Sequence, residues 1–281
     1  MQQIDKAFLP VQPFPGEKDN MIAKPVQCYA NPKAAVLKFR ILRADMLPHH
    51  AVFGVALDPP IELCADRLIK APPLDIGQAK TLFGYFAERL SEIGPSGNLA
   101  EKLGNSPIVP ITERKGEKTG NVRFVAPRTV FLGDSEAYGD IFDFVDFGLE
   151  ANSFLLRIGS KHEPTASEIA YMLIRQPGRL LQTLGTDKYL QLLRRIADNS
   201  ASLKKDKTLW QQLKRTPCLL AVKEVANATP SEKKARESDD EELMIKEYSL
   251  VNAAGMVIVD DFHTYRLFQS NLLAAPQEEM L

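Results

Sequence analysis

The sequence is short of the residues that most often carry catalysis. Its 281 residues include four histidines, three cysteines and one tryptophan. Cys28, Cys64 and Cys218 are widely separated and form no C-x-x-C pair, which argues against a zinc knuckle or a dithiol redox motif. So sparse and odd a set reads as reduced thiols, hence as an intracellular, cytoplasmic protein. His49, His50, His162 and His263 fall in no H-x-x-x-H or H-E-x-x-H spacing. No serine sits in G-x-S-x-G, and no cysteine has a histidine close in sequence to activate it. Long apolar runs are missing too. The longest, near 51–57, is far short of the ~20 residues that span a bilayer, and the first residues carry acids and prolines where a secretion signal needs an apolar centre. Net charge is −1, which removes any global electrostatic pull toward nucleic acid or anionic lipid.

What the chain does have is the same pattern twice. Leu99–Ile111 (LAEKLGNSPIVPI) and Leu209–Ala221 (LWQQLKRTPCLLA) share Leu, Leu four residues on, Pro after four more, and then an apolar run. Phe124–Phe142 lines up in the same way with Leu250–Phe268. The first pair of segments is offset by 110 residues and the second by 126, so the later copy is 16 residues longer, and the polar tract inside it is where they are expected. A repeat of this kind sets the architecture before any single residue does. The expected fold is α+β: strand hairpins joined to helices, with mainly helical chain between them. Residues 1–95 form a lead segment ending in a long amphipathic helix, 96–198 a first module, and 199–281 a second, incomplete module.

Local signals fill in this outline. Asp75–Ile93 has apolar residues at helical spacing and opens on Asp75 with Gln78 three residues later, a capping box. A short helix is expected at 98–103, then a strand pair, Ile108–Ile111 with Val122–Leu132, turning at 115–121. Pro127 places a bend or edge there. Residues 137–147 read as a Phe-rich helix. Thr165 and Glu168 make a second capping box at the head of a helical stretch, 163–215, broken at Pro177-Gly178 and Gly185-Thr186. Tyr189, Leu193 and Ile196 form one apolar stripe, and Leu203, Trp210 and Leu213 another. Cys218–Val225 is the next strand. The tract 228–243, dense in both charges and without large apolar residues, reads as a disordered loop. Glu247–Val259 is read as a hairpin around Asn252–Gly255.

Few side chains combine into candidate chemistry. Asp140, Asp143, Asp146 and Glu150 are spaced 3, 3 and 4, which on a helix lines up four carboxylates; grouped carboxylates can bind a hard cation or serve as acid and base. The plainer reading is a solvated acidic face. Asp146-Phe147-Gly148 spells the magnesium triplet of protein kinases, but the Gly-rich loop, strand lysine and H-R-D loop that must accompany it are missing. Arg194, Arg195, Lys204, Lys205 and Lys207 make a basic stretch that could meet RNA or an acidic protein; a solvated helix face is the default. Ser238, followed by Asp239, Asp240 and Glu241, fits an acidic-directed phosphorylation site. No cofactor motif is found. Protein is the expected partner, whether a neighbouring module or a client; membrane and nucleic acid are not. Self-association is expected through apolar surface around Leu267, Leu272 and Leu273 if the second module is truncated.

Long stretches between Pro107 and Glu224 carry a resemblance. PITERK, VRFVAPRTVFLGD, YGDIFDFVDFGLEANSFLLRIGSKHEPTASEIAYMLIRQP and LKKDKTLWQQLKRTPCLLAVKEV, with ALDPPIELCADRLIKAPP earlier and AAPQEEML at the end, resemble a sacsin-like family of large fungal proteins of undefined function. The resemblance implies an ATPase domain upstream, of the GHKL type shared by gyrase, histidine kinases and the ninety-kilodalton heat-shock chaperones. It also implies that this chain belongs to the downstream, non-ATPase region. The nucleotide site of that domain needs a helical Glu/Asn box and a D-x-G-x-G loop, and neither is present: the stretch from Asp146 to Glu150 lacks the second glycine. No ATP-binding residue is therefore carried over. The implied role is a non-catalytic scaffold or client-binding segment. The two alternatives are a divalent-cation enzyme built on residues 140–150 and an RNA-binding module built on residues 194–215.

Overall fold

A computed structural model describes residues 8–17, 21–94, 97–112, 122–133, 138–226, 244–255 and 272–273. The chain divides into two compact units, residues 1–135 with 142–163, and residues 136–141 with 164–281. Helices and several small separate sheets alternate throughout, so the fold is α+β. No helix among the described residues is long and apolar enough to cross a membrane.

The first unit opens with four short strands, β1 (Leu9–Pro10), β2 (Ile22–Ala23), β3 (Cys28–Tyr29) and β4 (Arg40–Ile41). β1 pairs antiparallel with β2, and β3 parallel with β4. Three helices follow: α1 (Ile61–Lys70), α2 (Ile76–Ala87) and α3 (Asn98–Asn105). Then come the hairpin β5 (Val109–Thr112) and β6 (Val122–Val125), the parallel pair β7 (Phe131–Leu132) and β8 (Phe144–Val145), and α4 (Leu149–Arg157). Asp75 caps α2 as its sequence signature requires, its Oδ1 accepting from the Gln78 backbone N at 2.8 Å. The long helix expected to Ile93 stops at Ala87 and gives way to a single 3-10 turn at Leu90–Glu92. α1, between two proline pairs, was not anticipated.

α2 and α4 pack face to face through rings. Phe86 stacks on Phe154 with centroids 4.9 Å apart, and Phe83 meets Phe147 edge-on at 5.3 Å. All four are buried in a core that also holds Leu68, Leu103, Ile108 and Val109. Residues of the lead segment and of the first module therefore share one apolar cluster. The same unit buries a cation: Arg89 donates to Glu92 at 2.6 Å, to Tyr85 Oη at 2.7 Å and to the Pro59 carbonyl at 2.8 Å. These partners compensate its removal from water.

The helix expected at 137–147 is not formed. Residues 138–141 make a turn, and the Phe-rich stretch continues as strand β8. The cause is alternation. Phe142 and Phe144, two residues apart, both lie against Phe131, at 5.2 and 5.5 Å, which strand geometry permits. The helix starts only at Leu149.

The second unit is helical until its sheet: α5 (Ala166–Arg175), α6 (Pro177–Asp198), α7 (Ser200–Leu203) and α8 (Lys207–Arg215), then β9 (Leu219–Ala226), β10 (Met244–Val251) and β11 (Leu272–Leu273). The Thr165–Glu168 capping box is present in both directions, with Glu168 N donating to Thr165 Oγ1 at 3.3 Å and Thr165 N to Glu168 Oε2 at 2.8 Å. α6 kinks at Gly185. Tyr189 is fully buried and donates to the Cys218 carbonyl at 2.7 Å, tying the long helix to the start of the sheet. β9 lies between β10 and β11, antiparallel to both. Residues 247–251 thus pair with β9 across the charged tract. Around Asn252–Gly255, the expected hairpin turn, the chain makes a 3-10 turn at Ala253–Gly255, and the far strand expected up to Val259 lies outside the described residues.

Candidate functional site

The helix–hairpin part of the duplication read from the sequence is present in three dimensions; the helical run expected after it is not formed in the first copy, and its counterpart in the second, residues 256–268, lies outside the described residues. In the first unit, α3, β5, β6 and a 3-10 turn at Pro127–Thr129 follow one another; in the second, α8, β9, β10 and the turn at Ala253–Gly255 do the same. Ladder register is the strictest comparison. Val109 pairs with Val125 and Thr112 with Val122, while Leu219 pairs with Val251 and Val222 with Tyr248. Adding 110 to the first strand and 126 to the second converts all four pairs of one hairpin into pairs of the other. The helix-to-strand corner repeats as well. Ser106 Oγ donates to the Lys102 carbonyl at 2.7 Å, and Thr216 Oγ1 to the Gln212 carbonyl at 2.8 Å. Ile108 N bonds the Ser106 carbonyl at 2.9 Å, and Cys218 N the Thr216 carbonyl at 2.8 Å. The extra length of the second copy is not all loop. The ladder gains four residue pairs, so half of the 16 residues lengthen the two strands.

The acidic candidates do not share a helix face. Asp140 lies in a turn and accepts from Lys188 Nζ at 3.0 Å. Asp143 precedes β8 and is paired with Arg123. Asp146 faces its own chain: its Oδ1 accepts from Gly148 N and from Asn152 Nδ2, each at 2.8 Å. Those bonds, led by the Gly148 backbone N–H, hold its carboxyl below the usual aspartate range. Glu150 alone of the four is helical, exposed in the first turn of α4. The triplet at 146–148 therefore has a plain structural reading. Asp146 clamps the loop, Phe147 is buried against Phe83, and Gly148 adopts φ of 87°, a left-handed value that favours glycine. Among the described residues no three His, Cys, Asp or Glu side chains are grouped as a metal ligand set.

The basic candidates separate into two kinds. Arg195 is half-buried and structural: it donates to Tyr138 Oη at 2.8 Å and to the Pro164 carbonyl at 3.0 Å, with its guanidinium over the Tyr138 ring. Arg194 is exposed on α6. Lys204, Lys205 and Lys207 are exposed around the start of α8. α8 is strongly two-faced: Leu209 and Leu213 are buried, while Lys207, Trp210 and Lys214 run along another side at spacings of three and four. The ammonium groups of Lys204 and Lys214 lie 5.2 and 5.9 Å from the centre of the Trp210 ring, within cation–π range. Trp210 is half-buried. Leu213, Lys214, Leu219 and Ala253 close around it and leave no cavity large enough for a water molecule. Sequence reasoning placed Trp210 in an apolar stripe with Leu213. The Lys-Trp-Lys spacing that marks the other side was legible but was not singled out. Ser238 lies outside the described residues.

The three cysteines are buried and unbridged. Burial pushes the Cys218 thiol up to about 12, so it is a packing residue rather than a nucleophile. Cys218 occupies the position of Ile108 in the other copy, and both are fully buried.

A family model described as a protein of unknown function, DUF3684, matches residues 1–281. The chain belongs to this family. No curated protein and no solved structure matches it. The DUF3684 family thus brings no activity, and the functional reading of this member rests on its geometry.

Proposed function

We propose that this chain is a non-catalytic, protein-binding scaffold segment, working in the cytoplasm as the downstream part of a sacsin-like, chaperone-type ATPase protein. The observation that carries the reading is the duplicated helix–hairpin module, preserved down to strand register. Repeated modules generate extended surfaces from equivalent faces, the usual arrangement of chains that bind other proteins. The resemblance of Pro107–Glu224 to the sacsin-like family supports the chaperone context. The acidic residues favour no rival reading, because Asp140, Asp143 and Asp146 are each engaged locally.

The test is chaperone-type activity of the purified chain against heat-unfolded model substrates, paired with affinity capture from lysate. Slowed aggregation at stoichiometric ratios is the expected result. A chain that suppresses no aggregation and retains no protein would overturn the proposal.

A further inference from the structure

α2 and α4 run side by side in the same direction. Lys80 lies against Gly148, Phe83 against Phe147 and Phe86 against Phe154, so the two helices begin at the same end. Each begins with an apolar residue turned to water. Leu149, the first residue of α4, is 89% exposed, and Ile76, the first of α2, is 59% exposed. Leu74, just before the Asp75 cap, is 63% exposed. Helix formation does not ask for these residues, since a first turn favours acids and proline. One exposed leucine means little, but three large apolar side chains at one end of a packed helix pair form a patch. Ile76 shares a side of α2 with Lys80, one turn away, and the Cβ bonds of α4 tilt toward its start, which carries Leu149 to the same end.

The patch has a hole as well as a knob. Beside Leu149 is an open hollow of about 380 Å³, lined by Lys80, Phe147, Gly148, Glu150 and Ala151. Phe147 and Ala151 are buried and make its apolar floor. Lys80 on α2 and Glu150 on α4 bring one charge of each sign. Both are exposed, and neither is in an ion pair among the described residues. The other carboxylate close by, Asp146, is bonded to its own chain through Gly148 N and Asn152 Nδ2.

We propose that this face is an interface between two copies of the chain related by a two-fold axis. A two-fold contact sets one patch against itself, so both halves of every complement must lie in that patch. Here they do. Leu149 of each copy enters the hollow of the other, over Phe147 and Ala151, and Lys80 of each faces Glu150 of the other. A partner segment of one charge sign would set like charges together at Lys80 or at Glu150, so the balanced pair favours a second copy. The inference goes beyond the scaffold reading and does not rest on it: a chain that binds no client can still dimerise here.

Sedimentation equilibrium of the full chain over a wide concentration range, at physiological ionic strength, is the test. The expected result is a reversible monomer–dimer equilibrium. Leu149→Asp puts an acid where a helix start favours one, so the thermal melt is unchanged while the dimer weakens by roughly tenfold or more. Lys80→Glu and Glu150→Lys each weaken it by roughly fivefold, because each opposes like charges twice across the axis. The variant carrying both regains most of that loss. It also keeps the net charge of the natural chain, which separates local pairing from overall repulsion. A monomer at every concentration, a dimer indifferent to Leu149→Asp, or a double variant no better than the single ones would overturn the proposal. So would a dimer that Lys204→Glu and Lys207→Glu abolish, since those cations lie on α8. If the chain is monomeric and Leu149→Asp loses a protein captured from lysate, the face belongs to that other protein and the two-fold contact is wrong.

Discussion

Gly104 shows how much one residue can carry here. It sits in the last turn of α3, buried, with the Ile158 carbonyl oxygen where a methyl group would go. Backbone cannot swing aside as a flexible side chain can. Gly104→Ala should therefore force α3 and the end of α4 apart and cost roughly 3 kcal/mol, the upper range for overpacking a well-filled core. Chemical denaturation of the variant checks this, and a loss under about 0.5 kcal/mol, typical of neutral surface changes, would mean that the helix and the crossing chain are looser than described. Asp146 is a milder case. Its carboxyl is held below the ordinary aspartate value, so it contributes stability above that value and loses it as pH falls through the depressed one. Asp146→Ala should lower stability by about 1 kcal/mol at neutral pH, as for a lost cap, and flatten the acid limb of the stability curve. If the acid limbs of the two proteins coincide, Asp146 is merely solvated.

At the level of elements, the equivalence of the two modules makes a paired prediction. Leu103 and Leu213 occupy the same position, four residues before the proline that precedes the strand, and both are buried. Leu103→Ala and Leu213→Ala should each cost about 2–5 kcal/mol, as deletions of core leucines do. Thermal melts that show a large loss for one and none for the other would mean that the two helices are seated differently. This equivalence was readable from Leu, Leu and Pro spacing because each of those residues does one job wherever the module occurs: two leucines face the core, and the proline follows the helix end. The helical stretch 163–215 was readable for a similar reason, its caps and breaks being local. The acidic segment was misread because its charges and its rings obey different periods. Spacings of 3, 3 and 4 put Asp140, Asp143, Asp146 and Glu150 on a helix, while Phe142 and Phe144 at spacing two put the same chain in a strand. The rings decided, since each gains the burial of its face against Phe131 and the carboxylates gain little from alignment in water.

For the molecule as a whole, charge arrangement matters more than charge total. The net value of −1 conceals a stretch, Asp134–Glu150, with six acids and no base, and another, Arg157–Arg215, with twelve cations against five acids. With a sequence pI near 6.5, there is almost no long-range repulsion between molecules around that pH. Oppositely charged stretches of different molecules can then meet, and the α8 cations are exposed to do so. Self-association of this kind should be strongest near pH 6.5 at low ionic strength. It should fall at about 0.3 M salt, where the screening length shrinks below ~6 Å, and fall again on moving to alkaline pH. Association through apolar surface behaves differently: salt leaves it unchanged or strengthens it. Sedimentation velocity across the two salt and pH conditions separates them. A sedimentation coefficient that drops with salt, and drops again with Lys204→Glu and Lys207→Glu, assigns the contact to the exposed cations at the start of α8. One that is unmoved by either assigns it to apolar surface.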